Sequence, residues 1–487
     1  MSVEVDVSPG LPGMTMVGLP DLTVRESRDR VRTAIRNSGF PFPLGRITVS
    51  LAPADVRKVG AAFDLPIALG VLAASGVLPH REDHRFTIVG GLSLNGEVPP
   101  MRGLLPIAVT ARRARGLLLF PAANEREAAI VKDLPRFPVR SLLDAARILV
   151  TPDPRPPVDL QTASEADPAP EPADDLADVR GQPAGRRALE IAAAGGHHLL
   201  FCGPPGAGKT MLARRMPGLL PDLSLDEALT VTAIHSVAGQ LPAGAGLMRR
   251  RPFRAPHHTC SDVALVGGGS VPRPGEMSLA HGGVLFLDEL PEFSRRVLET
   301  LRQPLELGAV HIARASRTAH FPADVMLVGA MNPCPCGYFG SRQRACQCPP
   351  VVVARYRHRL SGPLRDRFDL ALDIPAVPWA DMRSETPGET TADVRARVVS
   401  ARARQVTRQG VVNARLEGAA LKRVCARADS QVDSLLEEGV SKFSLSVRGV
   451  TRVLRVARTV ADLEGSTSLA ARHLAEALHF RLPDPVL

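Results

Sequence analysis

The chain has 487 residues, 45% of them hydrophobic, 23% charged and 4% aromatic, with a net charge of +10 and an isoelectric point near 9.8. That length calls for two to four domains, each able to bury a core, and no run of about 18 apolar residues is present that would make a membrane span. The basic balance permits a nucleic-acid partner, although an Ala- and Arg-rich composition raises the pI by itself, and so few aromatics argue against a base-stacking platform.

The chain opens with Met1-Ser2-Val3-Glu4-Val5-Asp6, which is acidic and lacks the apolar core of a signal peptide, so a cytoplasmic location is expected. Seven cysteines there do not suggest disulfides. Residues 1–148 alternate β-like and helical patterns: Arg46 to Leu51 and Phe86 to Val89 read as strands, Asp64 to Ser75 and Pro106 to Arg115 as helices. From Thr151 to Asp175 the composition turns to Pro, Ala, Asp and Glu with few large apolar residues, so a disordered linker is expected over 149–177.

Residues 178–380 read as a three-layer α/β domain. The apolar strand Leu199-Leu200-Phe201-Cys202 runs into Gly203-Pro204-Pro205-Gly206-Ala207-Gly208-Lys209-Thr210 and then a helix. Strand, glycine-rich turn and helix is the context of a phosphate-binding P-loop: backbone N–H groups and the helix N-terminus wrap the phosphates of ATP. Lys209 reaches the β/γ-phosphates and the Thr210 hydroxyl ligates Mg²⁺. Farther on, Gly283 to Leu287 is an apolar strand ending in Asp288-Glu289. Asp288 suits the Mg²⁺ shell, and Glu289 suits polarising an attacking water. A third strand, Val325 to Met331, ends at Asn332, whose amide can orient that water or simply start the turn before Pro333. In Leu364 to Leu370, Arg367, with Arg365 as the fallback, suits an arginine offered to a neighbouring subunit's γ-phosphate; the bland alternative is a salt bridge to Asp366 or Asp369.

Three other features stand out in this domain. Cys334-Pro335-Cys336 and Cys346-Gln347-Cys348 flank a short polar loop, and four thiolates so close suit one tetrahedral Zn²⁺ at an insertion over 334–348; free thiols or redox pairs are the alternatives. His257 and His258 would diverge if on a strand, so they are read as loop or DNA-facing residues. The stretch from Val237 to Gly275, with Arg249, Arg250, Arg251 and Arg254, and the segment from His311 to Arg317, with Arg314 and Arg317, are candidate basic loops that grip phosphates without reading sequence. Residues 381–487 read as a small helical domain, with a basic helix over Val394 to Arg408 and helical spacing over Ser446 to Leu463.

The two Walker-type strands, Asn332 and Arg367-Phe368-Asp369 in this order resemble an AAA+ ATPase of the magnesium-chelatase/MCM branch. Pro252-Phe253-Arg254-Ala255-Pro256-His257-His258, Val266 to Gly269, Pro274 to His281, Leu290 to Phe293, Leu360 to Pro363, Gly10 to Gly13 and Val17 to Pro20 resemble the ComM/YifB subfamily. The resemblance implies a ring, most simply a hexamer, with nucleotide held between subunits and Arg448 as a sensor-2 arginine. It also implies a DNA motor on single-stranded or branched substrates, of the kind associated with branch migration in natural transformation or recombination. Residues 1–148 are similar to the Lon-protease fold (ribosomal S5 domain 2-like), and residues 381–487 to a magnesium-chelatase C-terminal lid. Ala62 stands where an active Lon-type protease carries its serine, and Leu105-Pro106-Ile107 where the base lysine would follow. A Ser–Lys mechanism needs both groups, so a non-proteolytic domain is expected, used for assembly or for holding DNA or a partner. The first motif lies so near residue 1 that a leading strand of the family pattern is expected to be missing. Resembling proteins without the four cysteines imply that a zinc site is structural and dispensable for hydrolysis. The competing readings are a metallochelatase subunit, an ATP-dependent protease, which Ala62 disfavours, and a remodelling chaperone that does not use DNA.

Overall fold

The computed structural model describes the chain except residues 55–57, 59, 80–85, 152–153, 157–173, 242–245, 270, 315–316, 342–343, 384–387, 426–429, 444 and 482–487, and except the side chains of 22, 23, 314, 317, 380, 382 and 430. Most of the expected linker therefore lies outside the described residues. The chain divides into two compact units, 1–169 with 235–248, and 170–234 with 249–487.

In the first unit, β1 (Ser2–Ser8), β2 (Gly13–Val17) and β3 (Arg46–Ala52) form a sheet in the order β1-β3-β2. β1 pairs antiparallel with β3, from Ser2↔Ala52 to Ser8↔Arg46, and β2 runs parallel to β3. Alternation in β3 sends Ile47, Val49 and Leu51 into the core while Arg46 stays exposed, the period-two signature of a sheet covered on one face. The helices Leu22–Asn37 and Asp64–Ala74 cover that face. Asp21 caps the first of these by accepting the Val24 N–H at 2.8 Å. Asp64, fully buried, opens the second; it accepts the Ser27 hydroxyl and, at 2.9 Å, the Arg30 guanidinium. A second sheet, β4 (Phe86–Ile88), β5 (Leu117–Pro121) and β6 (Arg136–Val139), is parallel throughout.

The second unit is built on a five-stranded parallel sheet. Its strands are β7 (Leu199–Cys202), β8 (Phe253–Arg254), β11 (Val284–Leu287), β14 (Met326–Met331) and β15 (Leu370–Asp373), ordered β15-β7-β14-β11-β8. Two antiparallel pairs branch from it: β9 (Gly267–Gly268) with β10 (Arg273–Pro274), and the hairpin β12 (Ala309–Arg314) with β13 (Arg317–Pro322). β7, β11 and β14 are buried along their whole length, which is why they read as unbroken apolar runs. Leu199, Phe201, Phe286 and Val328 face one core, and Leu200, Cys202, Leu285 and Leu327 face the other.

Part of the helical segment shares the core of the sheet, while Leu416, Leu421 and Cys425 make a small cluster of their own. Val394 and Val398 of the helix Thr391–Gln409, and Val453, Val456 and Val460 of the helix Val447–Leu463, belong to the same cluster as Leu199 and Phe286. At its centre the fully buried Arg458 donates to Asp462 at 2.8 Å, and Asp462, 1% exposed, also receives Arg408 at 2.6 Å and the Asn413 amide at 2.7 Å. Removing one partner of a buried pair leaves an uncompensated charge. Asp462→Ala is therefore expected to destabilise the helical segment by about 3–5 kcal/mol, read as a lower urea midpoint of the helical circular-dichroism signal.

Candidate functional site

The glycine-rich turn is shaped by crowding and by backbone sign. A Cβ on Gly203 would stand 2.2 Å from the Ile374 carbonyl oxygen, and Gly206 and Gly208 take φ of +76° and +88°, where side chains are strained. The chain then enters the helix Lys209–Leu219 at once, with Gly208 as its N-cap. Lys209 is only 8% exposed and curls back into the turn, donating to Gly203 O at 2.6 Å, Pro204 O at 2.9 Å and Asn332 Oδ1 at 3.1 Å. Burial pulls its pKa down, against the nearby Asp288 carboxylate, which favours the charged form. The next residue, Thr210, donates its hydroxyl to Asp288 Oδ2 at 2.7 Å.

Strand order explains this convergence. β14 lies between β7 and β11, so Asn332, the P-loop and Asp288 follow three adjacent strands at their carboxyl ends, where open α/β sheets bind ligands. The hydroxyl of Thr210 and the carboxylate of Asp288 are hard oxygen donors of the kind Mg²⁺ takes. Glu289 sits in the left-handed region at φ 51° and ψ 43°, with its side chain 54% exposed. Its Oε2 lies 3.2 Å from His258 Nδ1.

His257 and His258 lie in the loop after the strand that ends at Arg254, as the loop reading has it; their rings sit 4.1 Å apart, and His258 faces the Glu289 carboxylate. Sequence reasoning missed that contact because the placement depends on β8 pairing with β11, Phe253 opposite Val284, through a strand of two residues. The reading of the basic stretch around it is corrected. Arg251 donates to Pro221 O at 2.6 Å and Gly282 O at 2.6 Å, and Arg254 makes a fork to Glu276 at 2.6 and 2.7 Å, so both are internal braces; Arg249 and Arg250 are exposed. The other candidate loop is the β12–β13 hairpin, with Arg314 opposite Arg317 at its end.

Arg367 and Arg448 are brought together, away from the P-loop. Both line a cavity of about 740 Å³, with His198, Gly283, Val325 and Asp369. Those four residues directly precede β7, β11, β14 and β15, so the cavity lies at the amino ends of the parallel strands. Four residues of strand, about 13 Å, separate it from the P-loop of the same chain. Arg367 pairs with Glu306 there, and Arg448 is exposed in the first turn of its helix. Arg365 ends the one-turn helix Gly362–Arg365.

The four cysteines also converge. The sulfurs of Cys334, Cys336, Cys346 and Cys348 all lie within 4.8 Å of one another, with 3.3 Å between Cys334 and Cys336, 3.7 Å between Cys334 and Cys346, and 3.6 Å between Cys336 and Cys346. A tetrahedral ion about 2.3 Å from each sulfur needs about 3.8 Å between sulfurs, so the donor set fits zinc. Backbone N–H groups of Tyr338 and Gln347 pull the Cys336 thiol down to about 6. In the first unit, Ala62 lies in the 3-10 turn Ala61–Phe63, and Leu105 lies in the helix Leu104–Arg113 with its N–H bound to Glu127. No described helix is long and apolar enough to cross a membrane.

Three family models match the chain. "Subunit ChlI of Mg-chelatase" covers residues 3–124, "Magnesium chelatase, subunit ChlI" covers 175–382, and "Magnesium chelatase, subunit ChlI C-terminal" covers 388–481. The chain is 44% identical to the competence protein ComM of Haemophilus influenzae, over 99% of this chain and 94% of that protein. It is 44% identical to the uncharacterized protein YifB of Escherichia coli, over 100% and 95% of the two lengths. To an uncharacterized protein of Mycobacterium tuberculosis it is 45% identical, over 99% and 95%.

Because Asp288 holds Thr210, Asp288→Asn is expected to raise the Mg²⁺ concentration needed for half-maximal ATP turnover at least about tenfold. A magnesium titration of phosphate release checks this.

Proposed function

The chain belongs to the ComM/YifB subfamily of magnesium-chelatase-like AAA+ ATPases, and from that premise we propose that it is an ATP-hydrolysing ring motor acting on single-stranded or branched DNA, a helicase or translocase of the branch-migration kind serving natural transformation or recombination. One observation carries the reading: Lys209, Thr210, Asp288 and Asn332 meet at one edge of the sheet while Arg367 and Arg448 share the opposite edge. Arginines there cannot serve the nucleotide of their own chain and are placed to serve a neighbour's.

The protein's part in hydrolysis then follows. The backbone N–H groups of Gly203 to Gly208 and the Lys209 ammonium bind the phosphates of ATP. Thr210 and Asp288 would hold Mg²⁺, which when bound neutralises charge on those phosphates. Glu289 takes a proton from the attacking water, Asn332 orients that water, and Arg367 with Arg448 of the adjoining subunit stabilises the charge that develops. Cys334, Cys336, Cys346 and Cys348 would hold a structural Zn²⁺, which supplies a cross-link between the ends of a short loop. The hexamer, the cytoplasmic setting and the Lon-like, non-proteolytic role of the first unit belong to the same reading. The printed name of the ComM relative, a competence protein, supports a DNA substrate. The chelatase name of the matching family models supports a second reading, a chelatase-type or chaperone-like remodelling ATPase that does not use DNA.

Phosphate release measured with and without single-stranded and forked DNA, combined with strand displacement, separates the two. Stimulation and displacement by the wild type are expected; stimulation only by a protein partner would favour the second reading. Glu289→Gln is expected to lower kcat by about 10²–10⁴ while nucleotide still binds. Arg314→Ala with Arg317→Ala is expected to weaken DNA binding and flatten its salt dependence by about two units of slope; an unchanged slope removes the hairpin from the DNA path.

A further inference from the structure

The cysteine cluster begins two residues after Asn332 and touches the nucleotide loop. Gly337 lies in the turn between the cysteine pairs, with φ +83° and its N–H bonded to Cys334 O at 2.9 Å. A Cβ built on Gly337 would stand 2.4 Å from Pro205 Cδ and 2.7 Å from Pro205 Cγ. The backbone of the turn is thus laid directly on the P-loop, at a distance only glycine permits. On the strand side, the Asn332 amide oxygen accepts a hydrogen bond from Lys209 at 3.1 Å. One short segment, 332–337, therefore touches the phosphate-binding turn at both its lysine and its proline.

The sulfur cluster holds that segment together with contacts from the helix Pro350–Arg357, whose Tyr356 bonds the Asn332 backbone. Arg357 Nε donates to Pro333 O at 3.1 Å, and its guanidinium lies 4.7 Å over the Phe339 ring. Two backbone N–H groups are aimed at sulfurs of the cluster. Phe339 N–H points at Cys334 Sγ from 3.3 Å, and Cys348 N–H at Cys346 Sγ from 3.4 Å. Donors aimed at sulfur fix ligand orientation. Cys334 is fully buried beside Asn332, whereas Cys336, Cys346 and Cys348 are half-buried.

We propose that zinc ties Cys334 and Cys336 to Cys346 and Cys348 in a brace that seats Gly337 on Pro205 and Asn332 on Lys209, so that metal occupancy sets how tightly the chain binds nucleotide. The inference rests on the zinc and P-loop assignments above and adds a coupling between them. It also revises the expectation of a dispensable metal: turnover chemistry needs none of the sulfurs, but the shape of the loop that holds the phosphates depends on them. Without the metal, the turn at Gly337 keeps the Arg357 contacts on either side but loses its tie to Cys346 and Cys348, and binding must then order it.

The test uses the full-length protein, metal analysis and a fluorescent ADP analogue with Mg²⁺. The purified chain is expected to carry one zinc. Removal of the zinc with a mercurial and a chelator is expected to weaken analogue binding at least about tenfold, with recovery on adding zinc and not on adding further magnesium. Gly337→Ala keeps all four cysteines and separates coupling from unfolding: it is expected to keep its zinc and still lose at least about fivefold in affinity. A chain purified without zinc overturns the metal assignment and the brace with it. Zinc present, with affinity unchanged within twofold in the stripped protein or in Gly337→Ala, overturns the brace and leaves the metal assignment standing. A zinc-loaded wild type that does not bind the analogue overturns the brace together with the ATPase reading.

Discussion

The Lys209 ammonium carries three protons, and in a site where the residue is 8% exposed three protein oxygens receive them: Gly203 O, Pro204 O and Asn332 Oδ1. A buried cation is tolerated only when its donors are matched, and here protein oxygens supply all three acceptors. Two come from the turn itself. The third requires β14 to sit beside β7, because only then does the residue after Met331 stand over the turn. Satisfying one charge thus fixes which strand neighbours which, and the same order delivers Asp288 to Thr210 from the next strand along.

The other end of the sheet is organised by a second polar group. Asp369, two residues beyond Arg367, accepts from His197 Nδ1 at 3.3 Å and from the His198 backbone N–H at 3.4 Å, just where β7 begins. Burial works against its charge, yet the His197 contact and nearby cations hold its carboxyl at about 2. His197 in turn reaches Thr459 at 2.8 Å in the helix Val447–Leu463. The segment bearing Arg367, the strand that ends in the P-loop and the helix that begins beside Arg448 are therefore joined through one aspartate and one histidine.

Much of the nucleotide edge was legible because fully buried parallel strands leave a plain mark. Leu199 to Cys202, Val284 to Leu287 and Met326 to Met331 have no polar alternation to confuse them with surface strands, and each is followed by residues whose chemistry suits the spot. The cysteine pairs were legible from spacing alone. The His258–Glu289 contact was not, since a two-residue strand has no pattern to read. Nor were the roles of Arg251 and Arg254: an arginine whose fork is filled by carbonyls or by Glu276 has the same local sequence as one that faces solvent. The packing of part of the helical segment into the core of the sheet was hidden for a similar reason. Val453 and Val456 announce a buried face but not what covers it.

If the glycine-rich turn of one copy and the Arg367 and Arg448 edge of another make up one site, as proposed, their placement at opposite ends of four-residue strands has a consequence for symmetry. Two copies related by a twofold axis would set like edge against like edge and complete neither site. Only head-to-tail addition matches an arginine edge to a phosphate edge, and such addition has a direction. An open row of copies then has one complete site fewer than it has members, and closing the row recovers the missing one.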